Sequence, residues 1–120
     1  MAQVIALVDD LFFQAKLLET AKQVGVEVHT CTTPDALDAE IANAVPRLVV
    51  VDLNARSGPF EALERLKAGG RKIPLIAFLS HVQVDLAERA RAAGCSDVMP
   101  RSKFTQNLAT ILARVKSDIR

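Results

Sequence analysis

VVVDLNA, residues 49–55, sets three β-branched side chains directly ahead of Asp52. Such a run reads as a strand, whereas strands are depleted in Asp. Two explanations fit a carboxylate in that place. A turn starts at Asp52 and its side chain merely caps it, or the carboxylate is held at a strand tip for chemistry. The choice depends on what the rest of the chain brings to the same place.

Working outward, apolar patches of two kinds alternate. VIALV (4–8), VEVHTC (26–31), RLVVV (47–51), IPLIAFL (73–79) and SDVM (96–99) are short and rich in branched residues, and they predict strands. Between them the apolar residues fall at helical spacing. Phe13, Leu17, Ala21 and Val24 line one face of a first helix, which Gly25 stops. Thr33 and Pro34 read as an N-cap and a first-turn proline, opening a second helix through about Ala44. Phe60, Leu63 and Leu66/Lys67 give a third, ended by Gly69-Gly70. Val82, Leu86, Ala90 and Ala93 give a fourth, closed by Gly94. Leu108, Ile111, Leu112, Val115 and Ile119 give a fifth.

The pattern is (βα)5. Nearly continuous apolar strands imply burial on both faces, hence a parallel sheet between two helix layers. For five strands with right-handed crossovers the common doubly wound order is 2-1-3-4-5. In that order ligands sit beyond the carboxyl ends of the strands, at the switch point between the first and third.

Composition narrows the function classes. The chain has 120 residues, 50% of them hydrophobic, which suits one domain with a packed core. Its 15 basic and 14 acidic residues leave a formal charge of +1, so bulk charge gives no reason to expect nucleic-acid or membrane binding. No apolar run approaches the roughly 18 residues of a membrane span. The start, MAQVIALVDD, lacks a basic segment and turns acidic at once, unlike a signal peptide. Cys31 and Cys95 are far apart and form no metal-ligand cluster, so buried reduced thiols in a cytoplasmic protein are expected.

The expected strand ends carry an unusual set. Asp9 and Asp10 follow the first, Asp52 the third, Ser80 and His81 the fourth, and Arg101, Ser102 and Lys103 come soon after the fifth. Two unit charges about 5 Å apart repel by roughly 3 kcal/mol at an effective dielectric near 20. Three acids on one rim therefore need a cation or raised pKa values. Oxygen-only donors suit a hard divalent ion, and magnesium takes one or two carboxylates plus waters and phosphate oxygens. Asp52 is then a candidate nucleophile toward a phosphoryl group.

LVDD, VVVDLN, IAFLS and RAAGCSDVMPRS together resemble the motifs of receiver domains of two-component response regulators, over essentially the whole chain. The resemblance implies a flavodoxin-like fold and a single receiver-like domain over residues 1–120. It implies that Asp52 accepts phosphate from a histidine kinase or phosphotransfer protein, and that Mg2+ is held by Asp9, Asp10, Asp52 and the backbone carbonyl of Asn54. It also implies that Ser80 reports phosphorylation through its hydroxyl. A downstream protein would dock on the face made by helix 4, strand 5 and helix 5. No enzyme activity beyond self-phosphorylation and self-dephosphorylation is implied, and no output domain is recognisable in these residues.

The sequence departs from the family at several points. Arg101 stands where the family has lysine, and a planar guanidinium is not interchangeable with an ammonium. Lys103 is a rival if the loop is shifted. Ser102 replaces the proline that commonly follows in a cis peptide. A non-proline cis bond costs roughly 3 kcal/mol, so a trans bond and a rearranged loop are expected. Val98 stands at the aromatic switch position, and the loop NARSGP is short. These departures motivate a second reading, a receiver-like interaction module that works without phosphate. A hydrolase would need an acid at position 54, where Asn54 stands. His81 is expected at the rim of the site, and His29 on the surface of an edge strand. Phe13 is expected in the core, with Phe12 partly exposed.

Overall fold

The computed structural model describes residues 3–70, 72–80 and 83–117. In chain order it contains β1 (Val4–Leu7), α1 (Leu11–Val24), β2 (Val28–Cys31), α2 (Pro34–Asn43), β3 (Leu48–Asp52), α3 (Pro59–Ala68), β4 (Leu75–Leu79), α4 (Val84–Ala92), β5 (Asp97–Pro100) and α5 (Arg101–Ser117). The strands form one parallel sheet in the order β2-β1-β3-β4-β5. This is the expected flavodoxin-like α/β fold. The expectations for His81, Val82 and Ile119 lie outside the described residues.

Alternation along the strands builds two cores. Val4, Ala6, Leu48, Val50 and Phe78 face one layer, where they meet Phe13 and Leu17 of α1 and Phe104, Leu108 and Leu112 of α5. Ile5, Leu7, Val49, Val51, Ala77 and Leu79 face the other, against Leu37 and Ile41 of α2, Leu63 of α3 and Ala90 of α4. Both faces of the central strands are therefore dry, which is why those strands read as unbroken apolar runs.

Helix ends follow the expected chemistry. The Thr33 hydroxyl accepts the Ala36 N–H at 3.1 Å, with Pro34 as the first residue of α2. Gly25 closes α1 at φ +82°, donating its N–H to the Ala21 carbonyl at 2.9 Å. Among the described residues no peptide bond is cis, so the Arg101–Ser102 bond is trans as expected.

Three expectations need correction. β3 runs one residue further than RLVVV and takes in Asp52, which pairs in register with Phe78. On α3 the buried face is Pro59, Ala62 and Leu63, while Lys67 is exposed. Phe60 is half-buried against the core and lies under the exposed Arg89 side chain of α4, with the guanidinium 4.1 Å from its ring centre. Between β5 and α5 there is no loop at all: α5 begins at Arg101, directly after Pro100.

Candidate functional site

Asp52 both starts a turn and is held buried at a strand tip. It does start a turn: its Oδ1 accepts the Asn54 N–H at 2.9 Å, and its carbonyl accepts the Ala55 N–H at 3.1 Å. It is also the one polar residue among the buried residues described, 6% exposed at the carboxyl end of a central strand. In the β3 alternation it follows Leu48 and Val50, which face α1 and α5. It therefore belongs to the layer whose helices supply Asp10 and Arg101.

Asp9, Asp10, Asp52, Asn54, Arg56, Ser80 and Arg101 line one cleft of about 550 Å³. The topology brings the sequence-expected residues together and leaves Lys103 outside, exposed on α5. Each acid already has partners. The Asp10 Oδ1 caps α1, accepting N–H bonds from Phe12 at 3.0 Å and Phe13 at 3.1 Å, while its Oδ2 accepts from the Arg101 guanidinium at 3.0 Å. The Asp9 Oδ2 accepts the Arg56 N–H at 2.8 Å. The nitrogen of Arg101 that binds Asp10 stands 3.9 Å from the Asp52 Oδ2.

Proton affinities follow from these contacts. The helix N-terminal N–H of Phe13 and the Arg101 guanidinium hold the Asp10 carboxyl below its ordinary value, against some desolvation. Asp52 moves the other way. Its burial raises the pKa, an effect that the Asn54 N–H and Arg101 oppose and that Asp9 and Asp10 reinforce. Asp10 and Asp52, on one rim, thus have opposed proton affinities.

Ser80 is held by the side chain of Asn54. Both its N–H, at 2.6 Å, and its hydroxyl, at 2.8 Å, donate to the Asn54 Oδ1, and the Asn54 amide nitrogen donates to the Gln83 Oε1 at 3.1 Å. The Asn54 side chain therefore ties β3 to the segment after β4. Sequence reading had assigned only the carbonyl of Asn54 and had missed Arg56 and Gln83. The position of Asn54, two residues past the carboxylate, was a usable signal. Nothing in the sequence places Gln83 opposite it.

Metal fit turns on the donor set. Three carboxylates and an amide in one cleft are the hard oxygen donors that suit a magnesium-like ion. Among the described residues, no three carboxylate, imidazole or thiol groups stand close enough to hold an ion as they are now arranged. Asp10 is already paired with Arg101 in that cleft.

The sheet order and the acid-lined cleft at its β1/β3 switch point define a receiver-type α/β fold, and the structural neighbours of the chain are response-regulator receiver domains. No protein-family model and no curated protein matches the sequence. Among solved structures, the receiver domain of NtrX from Brucella abortus is 19% identical, with a TM-score of 0.80 over 96% of this chain and 98% of that one. A response regulator receiver protein from Pseudoalteromonas atlantica is 17% identical, with a TM-score of 0.81 over 98% and 99%. The chemotaxis response regulator CheY4 of Vibrio cholerae is 21% identical, with a TM-score of 0.77 over 96% and 98%. Against a longer NtrX chain from Brucella abortus, in complex with ADP, the chain spans 26% of the length. At these identities the likeness establishes the fold.

Among the described residues no helix is long and apolar enough to cross a membrane. Cys31 and Cys95 are free and buried, and burial pushes their thiols up to about 12 and about 11. Such thiols are inert at neutral pH.

Proposed function

We propose that the chain is a phosphorylation-responsive receiver of a two-component system, with Asp52 as the phosphoacceptor. A carboxylate oxygen of Asp52 attacks the phosphorus of a phosphohistidine donor. The P–N bond breaks, the imidazole leaves with the bonding pair, and an acyl phosphate remains on Asp52. The observation that carries this reading is a buried carboxylate at the tip of a central strand, in a cleft shared with two further acids, a hydroxyl and a guanidinium. Asp9, Asp10, Asp52 and the Asn54 carbonyl would hold Mg2+, which when bound offsets the charge of the transferring group. Arg101 supplies a cation for the phosphoryl oxygens, and Ser80 a hydroxyl donor once released from Asn54. The switch would be read by a protein docking on the face formed by α4, β5 and α5, in the cytoplasm.

Incubation with acetyl phosphate and Mg2+, followed by intact-mass measurement, should add one phosphoryl group to the wild type and none to Asp52→Asn. A wild type that stays unlabelled at saturating donor overturns the proposal.

A second reading, an interaction module independent of phosphate, is favoured by two observations. The Ser80 hydroxyl is tied to Asn54, and the half-buried Val98 has no ring to move. That reading requires partner binding to be the same in wild type and Asp52→Asn.

A further inference from the structure

The acidic cleft contains a cation of its own. Arg101 is the first residue of α5, and one guanidinium nitrogen stands 3.0 Å from Asp10 and 3.9 Å from Asp52. The guanidinium carbon lies 4.4 Å from the ring centre of Phe13 and 5.7 Å from that of Phe78. Its Nε is shut away from solvent with no hydrogen-bond partner. The side chain is thus positioned by the Phe13 and Phe78 rings and by one acid, which is itself fixed as the N-cap of α1. Exposed ion pairs contribute little. This one is only 31% exposed on the arginine side and is oriented by ring contact, so it holds its place more firmly.

We propose that Arg101 is a tethered counterion that occupies the acidic cleft in competition with divalent cations. A metal ion entering the cleft must break the Arg101–Asp10 pair and lift the guanidinium from Phe13. Its apparent affinity is lowered by the fraction of molecules in which Arg101 is seated. The effect is larger for arginine than for positive charge alone at this position. A lysine ammonium has no planar face to lie on Phe13 and sheds its partner more readily. The inference rests on reading the cleft as a divalent-cation site.

Calorimetric titration with Mg2+ in the absence of any phosphodonor tests it. Arg101→Met keeps an apolar stem over Phe13 and should tighten Mg2+ binding about tenfold, or ~1.4 kcal/mol. Arg101→Lys should fall between that variant and the wild type. Asp52→Asn should weaken binding with either residue at position 101. Affinity in Arg101→Met within about twofold of the wild type, or weaker, overturns the proposal, and so does the absence of Mg2+ binding in both. A second measurement needs no variant. During Mg2+ titration of the wild type, the Arg101 Nε–H resonance should shift on the same isotherm as the Asn54 amide. An Asn54 shift with Arg101 unmoved rejects the idea. Metal competition without labelling by acetyl phosphate would sink the phosphoacceptor reading alone. Labelling with unchanged metal affinity in Arg101→Met would sink this one alone.

Discussion

Asp52 is a carboxylate that the fold makes costly to ionise. Burial raises its pKa above the ordinary 3.8, with Asn54 and Arg101 pulling it back and Asp9 and Asp10 adding to the rise. The folded state therefore holds this proton more tightly than the unfolded chain does. The resulting stabilisation is complete below the unfolded pKa and is lost as pH rises through the folded one. At neutral pH the ionised Asp52 weakens the fold. Asp52→Asn should accordingly be more stable than wild type at pH 7, by on the order of 1 kcal/mol, and the gain should shrink as pH falls toward 4. Urea melts followed by circular dichroism at both pH values check this. An equal or lower midpoint at pH 7 contradicts it.

Helices and strands stop where local chemistry stops them. Gly25 ends α1 at φ +82°, where an L side chain clashes with its own backbone at about 1–2 kcal/mol. A Cβ there would also meet the Lys116 Nζ at 3.0 Å, but that is a flexible tip that can move aside. Backbone strain is the larger effect, so Gly25→Ala should cost about 1 kcal/mol, measurable as a lowered denaturation midpoint. The Thr33-Pro34 start and the Gly25 stop were legible because caps depend on residues a few positions apart. On α3 the expected Phe60, Leu63 and Leu66 do pack against the core, while Ala62 is buried and Lys67 exposed because which side of a helix is covered depends on its neighbours. Ala62 is buried beside Leu63, and the exposed Arg89 of α4 lies over Phe60.

Across the whole molecule the site rests on the aromatic stack beneath it. Phe78 and Phe104 lie nearly parallel with ring centres 4.8 Å apart, and Phe13 stands 4.9 Å from Phe78. They come from β4, α5 and α1; Phe13 and Phe78 form the floor on which the Arg101 guanidinium lies, and Phe104 packs against both rings. Phe104 is fully buried. Phe104→Ala should cost about 3–5 kcal/mol and, by loosening the start of α5, should broaden the NMR signal of the Arg101 guanidinium. A loss below about 1 kcal/mol in urea melts would show that this stack is not what seats α5.

Read alone, the sequence determined the order of elements, most helix caps, and the convergence of Asp9, Asp10, Asp52, Ser80 and Arg101 on one rim. Each follows from short-range spacing combined with the few ways a parallel sheet can be wound. Only the tertiary structure decided how that rim is satisfied. Arg101 rather than Lys103 enters the cleft, Asp10 rather than Asp52 takes its closer contact, Asn54 holds the Ser80 hydroxyl, and Arg56 engages Asp9. The reason is physical: secondary structure is set by periodicity along the chain, whereas the partner of a charged group is set by distances of a few ångströms between segments far apart in sequence.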